Sequence, residues 1–464
     1  MEVLTNSIIC LLLPAVIAFY YILDYFLKSE TIKKGWLILC SFAFYFYLTH
    51  SNIKYLVLSL VLNFIAGKLL IKKKLKLSKP FYLGAIVINS ILFIFVKYRI
   101  EVTDTYSFLF ASYNSLNQWI VPIGFGMITI QQISYLRQCY DAEIKEVSII
   151  DYLHFSTFFP KLIAGPITSY HTFIVTNKNV VNYRNISLGI YAFFIGLGQK
   201  VLFADTFLTI ADRGLSCHSL NFVQAWVTVL CNTFGIYFNI NGYTSMAIGI
   251  GLCFNIILPF NFNYPFKAPN IRDFWEKWHI SFTQFFTKTL LLPIAGNKQR
   301  LLSYSIGIII TFFVMSLWHK IGFPIIIWGV LNAFSLIVFS FFNKLNVRLP
   351  KRLSWLITFA FINVCWIFFR TENITQSIIV ISGLMNIKGL FLYYNEFYIL
   401  WGIGANFMIV LLLIIGLIVV LKMKNISDII ENYKPSFKIL LITIVLIIVS
   451  LSYNKAYPIL YYGF

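Results

Sequence analysis

Charged residues are scarce in this 464-residue sequence, 12% Asp, Glu, Lys and Arg, where a soluble domain carries about a quarter. No polar segment runs beyond about 25 residues, far below the size of a folded domain. A water-soluble enzyme is excluded on both counts. Acidic side chains are scarcest, 17 against 37 Lys and Arg, for a formal charge of +20. In a soluble protein that excess would indicate nucleic acid. Here the basic residues lie between apolar runs, where the positive-inside rule accounts for them, and no nucleic-acid partner is expected. Cysteine is thinly spread, as Cys10, Cys40, Cys139, Cys217, Cys231, Cys253 and Cys365. These form no CxxC pair and no Cys/His cluster at ligand spacing, so neither a disulfide framework nor a metal site is expected. A GxSxG serine elbow is missing, and so is an internal repeat of the kind that builds inverted-repeat transporters.

What is present is apolar: 59% hydrophobic and 18% aromatic residues, with a mean hydropathy of +0.79. Runs near the roughly 20 residues needed to cross the hydrocarbon occur at 7–27, 36–50, 54–71, 81–97, 117–136, 187–209, 222–239 and 242–259. Further runs are 302–319, 323–342, 353–369, 397–421 and 437–453. The sequence therefore predicts an all-α polytopic membrane protein with about 11 to 13 crossings. Residues 7–27 lack a basic leader and a cleavage site, and read as a first span. Lys28, Lys33 and Lys34 follow it, and the basic stretch 72–79 follows the third run. This alternation places 28–35 and 72–79 in the cytoplasm, and the N-terminus and residues 98–116 outside.

Three apolar segments are unlike plain spans: 121–126 (VPIGFG), 155–167 (FSTFFPKLIAGPI) and 259–296, which mixes charges, aromatics and prolines. Broken backbone at membrane depth is tolerated only where protein or a water-filled cavity satisfies it, and membrane proteins put sites in such places.

Ionisable residues within apolar surroundings are the next signal. In Ile271–Ser281 an unbroken helix would align Asp273, Glu276, Lys277 and Ser281 on one face, and Arg272, Glu276 and His279 on another. This pattern fits an interfacial amphipathic helix belted by Trp275 and Trp278, or a functional site. His319, after Trp318 at the end of the 302–319 run, suits helix packing, proton carriage or general-base work. His50, His154, His171 and His218 lie near loops or interfaces and rank lower. The polar run Asn239, Asn241, Tyr243, Thr244 and Ser245 would line a cavity or bond neighbouring helices. Lys161, Lys200, Asp205 and Arg370 read as structural ion pairs or snorkelling side chains. Lys200 and Asp205, five apart, are expected to pair with other helices rather than with each other.

Seven ordered blocks carry a resemblance: 121–143, 158–167, 188–207, 238–254, NFNYPFKAPNIRDFWEKWHIS at 261–281, SLWHKIGFPIIIWGVLN at 316–332, and WIFFR at 366–370. The ending AYPILYYGF at 456–464 agrees with them. The chain resembles the membrane-bound O-acyltransferase (MBOAT) family, in its bacterial branch of alginate O-acetylases and D-alanyl transfer proteins. The resemblance implies one integral-membrane domain over 1–464, with variable helices over 1–116 and the family-like core over 117–464. It also implies a ring of helices around a thin catalytic centre, in a multi-pass protein of the bacterial inner membrane.

In the family pattern His319 carries the catalytic histidine and His279 the second one. Asn239, Asn241, Tyr243, Ser245, Trp275, Trp278, Ser281 and Trp318 become substrate-channel candidates. The implied donor is acetyl-CoA or an acylated carrier protein on the cytoplasmic side, with no bound cofactor. The implied partner is an SGNH-type transferase outside, and the acceptor a polysaccharide. The chain departs from the branch at Asn239 and Ser245, over Thr287–Gly296, at Lys320–Ile321 and at Asn332.

Acyl transfer to a hydroxyl needs a base and oxyanion stabilisation, and a tryptophan-rich wall would keep water from the donor. The leading expectation is an O-acetyltransferase of an exopolysaccharide or peptidoglycan. The alternatives are D-alanyl transfer to teichoic acid, a transporter or flippase for a lipid-linked glycan, and an inactive scaffold.

Overall fold

Long apolar helices with large side chains facing outward dominate the computed structural model, which describes residues 7–72, 78–105, 122–162, 164–176, 181–296, 301–347, 349–387 and 403–453. Among the described residues there is no strand. Seven helical stretches are long and apolar enough to cross a bilayer: Ile8–Leu27, Ile53–Ile71, Ser78–Tyr98, Tyr183–Leu215, Leu301–His319, Phe323–Lys344 and Lys351–Arg370. Shorter apolar helices add Ile374–Met385, Met408–Lys422 and Phe437–Ser452. On Leu301–His319 the exposed residues Ile306, Ile309, Ile310 and Phe313 face a solvent that can only be lipid. The block at 456–464 and most of the expected outer loop at 98–116 lie outside the described residues.

The chain forms two compact units, Met1–Phe193 with Met246–Pro259, and Phe194–Ser245 with Phe260–Tyr457. The first unit contains α1 (Leu13–Leu27), α2 (Glu30–Thr49), α3 (Ile53–Ile71), α4 (Ser78–Thr105), α5 (Phe125–Tyr140), α6 (Ile149–Thr157), α7 (Phe159–Leu162) and α8 (Tyr170–Thr176). Within it Asn63 and Asn89 exchange amide hydrogen bonds between α3 and α4 at 2.9 and 2.8 Å, the kind of polar contact that joins helices where the hydrophobic effect does not. The interruption at 121–126 is present: α5 starts only after Gly124, which sits at φ 73°. At 155–167 two short helices replace a span, and a Cβ on Gly165 would lie 2.3 Å from Lys161 Cα.

Helix α9 (Tyr183–Gly198) passes into a π-helical turn, Gln199–Ala204, and then α10 (Asp205–Leu215). Helix α11 (Phe222–Cys253) is continuous where two spans, 222–239 and 242–259, were expected. Its polar run does not break it, and the backbone packs closely at Gly242 within that run. A Cβ at Gly242 would meet the Gly196 carbonyl oxygen at 2.8 Å. The helix stops instead at Asn255, in the left-handed region at φ 62°, a common way to end one.

The second unit continues through the expected irregular stretch with α12 (Ile271–Lys277), α13 (Ile280–Phe286), a π turn at Thr287–Leu291 and α14 (Leu292–Ala295). It is completed by α15 (Leu301–His319), α16 (Phe323–Lys344), α17 (Lys351–Arg370), α18 (Ile374–Met385), α19 (Ile403–Lys422), α20 (Ile426–Glu431) and α21 (Phe437–Ser452).

Candidate active site

The Asn270 side chain starts α12 by accepting the Asp273 N–H at 2.9 Å, the usual service of an Asn at a helix start. The helix then lasts only to Lys277. Trp278 is extended and His279 is left-handed at φ 43°, ψ 54°, before α13 restarts at Ile280. The expected alignment of Asp273, Glu276, Lys277 and Ser281 on one face therefore fails at Ser281, and that of Arg272 and Glu276 fails at His279. Within α12 the i,i+4 spacings Asp273–Lys277 and Arg272–Glu276 remain, and Lys277 bonds Asp273 at 2.9 Å.

A left-handed histidine costs about 1–3 kcal/mol and persists only where its surroundings hold it. The segment before α12 does the holding. Asn263 donates its N–H to the Lys277 carbonyl at 3.0 Å, and Ile280 donates to the Asn261 carbonyl at 2.8 Å. The Asn261 side-chain oxygen accepts the Ser281 N–H at 3.2 Å and its hydroxyl at 2.6 Å. Its amide donates to Thr244 on α11 at 3.3 Å. Asn261 is thus the link between the polar run on α11 and the His279 turn, and sequence reasoning missed it. Its one available signal was a polar residue inside the Phe-rich NFNYPF stretch.

His319 closes α15. The two histidines are 6% and 7% exposed, and both rings pack on Phe282, with centroids 5.0 Å from His279 and 5.6 Å from His319. Trp318, Trp328 and Phe369 complete the setting of His319 at 4.8, 5.8 and 4.9 Å. Trp278 packs at a tilt against Trp366, with centroids 4.9 Å apart, and Trp366 lies 6.1 Å from Trp328. His279 lies outside the spanning helices. Burial pushes its pKa down to about 4, so its imidazole is neutral at pH 7. Its Nδ1 has no hydrogen-bond partner among the described residues.

Trp275 donates its indole N–H to Asn332 at 3.2 Å. The Asn that departs from the family pattern therefore holds one of the channel-candidate tryptophans. Lys320, another departure, donates to the Thr371 carbonyl at 2.7 Å, and burial pulls its pKa down to about 8.

The remaining sequence candidates divide. Asn239 and Ser245 are fully buried on α11, and among the described residues neither side chain has a hydrogen-bond partner. Asn241 donates instead to Gln199 at 2.9 Å, and Tyr243 is half-buried. Among the described residues none of these four shares a hydrogen bond with the His279 turn, whereas Thr244 reaches it through Asn261. Lys200 and Asp205, expected to find other helices, bond each other at 2.7 Å with 3% and 4% of their side chains exposed. The π turn between them is the reason, because its extra residue brings positions five apart onto one face.

Arg370 meets Asp212 at 2.5 Å, an ion pair as expected. Lys161 forms neither of the expected arrangements. It is buried, with Nζ 3.8 Å from the Phe155 ring centroid and 4.5 Å from that of Phe173, in cation–π contact. His154, expected near an interface, is fully buried.

Comparison with known proteins identifies the family. The model of the MBOAT, membrane-bound O-acyltransferase family matches residues 38–377, a range that contains both histidines and Asn261. The chain is 36% identical over 415 residues to the peptidoglycan O-acetyltransferase of Helicobacter pylori, covering 81% of this chain and 78% of that protein. It is 26% identical over 382 residues to the probable alginate O-acetylase of Pseudomonas aeruginosa, covering 80% and 72%. It is 27% identical over 247 residues to the teichoic acid D-alanyltransferase of Bacillus subtilis, covering 50% and 62%.

Proposed function

The chain belongs to the membrane-bound O-acyltransferase family, and from that premise we propose that it takes an acetyl group from a cytoplasmic donor and delivers it toward peptidoglycan outside the membrane. It is a membrane O-acetyltransferase acting for an extracytoplasmic polysaccharide. Peptidoglycan is favoured within that class by the 36% identity to a peptidoglycan O-acetyltransferase, against 26% to an alginate O-acetylase.

The observation that carries the mechanism is the pair of buried histidines on one phenylalanine, walled by tryptophan. His319 takes the proton of the attacking hydroxyl as its oxygen bonds to the carbonyl carbon of an acetyl thioester. The carbon–sulfur bond then breaks, and His319 returns the proton to the leaving thiolate. His279, neutral through burial, offers an N–H to the oxyanion formed in between. The aromatic wall keeps water from the thioester, which would otherwise be hydrolysed. The donor is a substrate, acetyl-CoA or an acetylated carrier protein. An SGNH-type partner in the inner-membrane assembly, with its serine, would receive the acetyl group outside and finish the transfer.

The test is ester-linked acetate on isolated cell-wall and exopolysaccharide fractions. It compares wild type, a deletion, and a deletion complemented with His319→Ala at equal membrane abundance. Loss of cell-wall acetate in the deletion, unrestored by His319→Ala, is the expected result. Full restoration by His319→Ala overturns histidine catalysis and favours transport. Unchanged acetate with reduced D-alanine ester moves the chain to D-alanyl transfer, the activity named for the Bacillus relative.

A further inference from the structure

Between the α12–α14 segment and the α15–α16 hairpin lies a cleft of about 860 Å³ that the acyl-transfer reading does not use. Its α15 wall is a single helix face, Leu301, Tyr304, Ile308, Phe312 and Met315. From Leu301 to Met315 the helix rises about 21 Å, more than half the roughly 30 Å hydrocarbon. The character of the walls changes along that length. Arg272 and Lys344 mark the Leu301 end, since Arg272 donates to Ser340 at 3.1 Å, one turn before Lys344. Lys288 lines the same cleft, where Glu276 is the sole carboxylate among the described lining residues. The far end is mainly apolar, with Thr311 beside Phe312, and closes on Trp275, Phe312 and Phe286, all buried.

The basic end is also the cytoplasmic end by loop charge. The sequence next to it carries Lys298 and Arg300 before α15, Lys344 at the end of α16, and Arg348, Lys351 and Arg352 beyond it. The opposite turn, between His319 and Phe323, has Lys320 alone. An excess of basic residues of this size marks the cytoplasmic side, whose leaflet is rich in anionic lipid that attracts juxtamembrane Lys and Arg.

We propose that this cleft binds an anionic phospholipid of the cytoplasmic leaflet, with its phosphate at Arg272, Lys288 and Lys344 and one acyl chain laid along α15. The charge of the mouth matches a phosphate, and the apolar floor matches a hydrocarbon chain. A thioester donor seated here would end against Trp275. The Trp328 ring, 5.9 Å from Trp275 and 5.8 Å from His319, would stand between it and the histidine. The lipid chain has a different consequence: it backs the tryptophan wall of the histidine site and couples leaflet composition to the rigidity of that wall.

Binding can be read without acetyl transfer, so this proposal and the proposed function fail separately. The full chain is purified in neutral detergent and titrated with dibrominated-acyl phosphatidylglycerol or phosphatidylcholine. Tryptophan quenching is the readout, because bromine quenches only on contact and Trp275 forms the end of the cleft. The expected result is quenching by phosphatidylglycerol at roughly a hundredfold lower lipid than by phosphatidylcholine, the scale of three basic side chains on one headgroup. The combined substitution Arg272→Gln, Lys288→Gln and Lys344→Gln should abolish that preference. Ile308→Trp, which blocks the chain without touching charge, should lower phosphatidylglycerol affinity several-fold.

Equal quenching by the two lipids, or an undiminished preference in both variants, overturns the proposal. So does displacement of phosphatidylglycerol by coenzyme A, which would assign the cleft to the donor. Should the triple variant fail to fold, the wild-type lipid preference and Ile308→Trp decide.

Discussion

Asn261 holds Ser281 twice through one oxygen, accepting its N–H at 3.2 Å and its hydroxyl at 2.6 Å, and so fixes the residues on which the left-handed His279 depends. Ser281→Ala removes one of these bonds, worth about 1 kcal/mol, whereas Asn261→Ala removes all of its side-chain bonds and leaves a buried N–H unpaired at about 1–3 kcal/mol. Acetate transfer is expected to fall modestly in the first and at least tenfold in the second, since about 1.4 kcal/mol in a barrier is tenfold in rate. Comparable, wild-type-like activity in both would remove Asn261 from the site.

Phe282 is the ring the two histidines share. Phe282→Ala opens a cavity between them and should destabilise the protein by about 3–5 kcal/mol, with loss of acetate transfer. Phe282→Leu keeps most of the volume and should recover stability more fully than activity. Thermal unfolding in detergent and acetate assays on the same preparations separate the two effects. Equal recovery of both would reduce Phe282 to packing.

The Lys200–Asp205 pair tests how burial treats charge. Breaking a buried pair from one side strands the other charge, at about 3–5 kcal/mol, while replacing both with apolar residues is often neutral. Lys200→Met and Asp205→Leu should each lower the unfolding temperature sharply, and the double variant should regain most of the loss. Additive losses in the double variant would show that each residue acts through other contacts.

Two buried histidines contribute to the acid sensitivity of the fold. Burial, chiefly, pushes His154 down to about 3 and His279 to about 4, below the ordinary value near 6.5. The unfolded chain therefore takes up protons that the folded protein refuses as pH falls below about 6.5. Stability then drops by up to about 1.4 kcal/mol per pH unit for each histidine, until the folded values are reached. Unfolding temperatures between pH 7 and pH 4 should fall less steeply in His154→Phe than in wild type. Parallel curves would mean that His154 is protonated in the folded protein.

The sequence alone decided what the bilayer and composition dictate. Runs near 20 apolar residues have one stable use in lipid, so the helical membrane architecture was legible, and the ordered blocks around His279 and His319 were enough for the family. The tertiary structure decided wherever an element departs from regular period. Lys200 and Asp205 meet because a π turn lies between them, and α11 runs whole across its polar run, with Gly242 set close against Gly196. His279 leaves the helix because residues 261–263 bind the backbone on either side of it. Spacing arguments assume a constant 3.6 residues per turn. The contacts that bend or interrupt the helix come from residues far away in sequence, and only the folded chain brings those together.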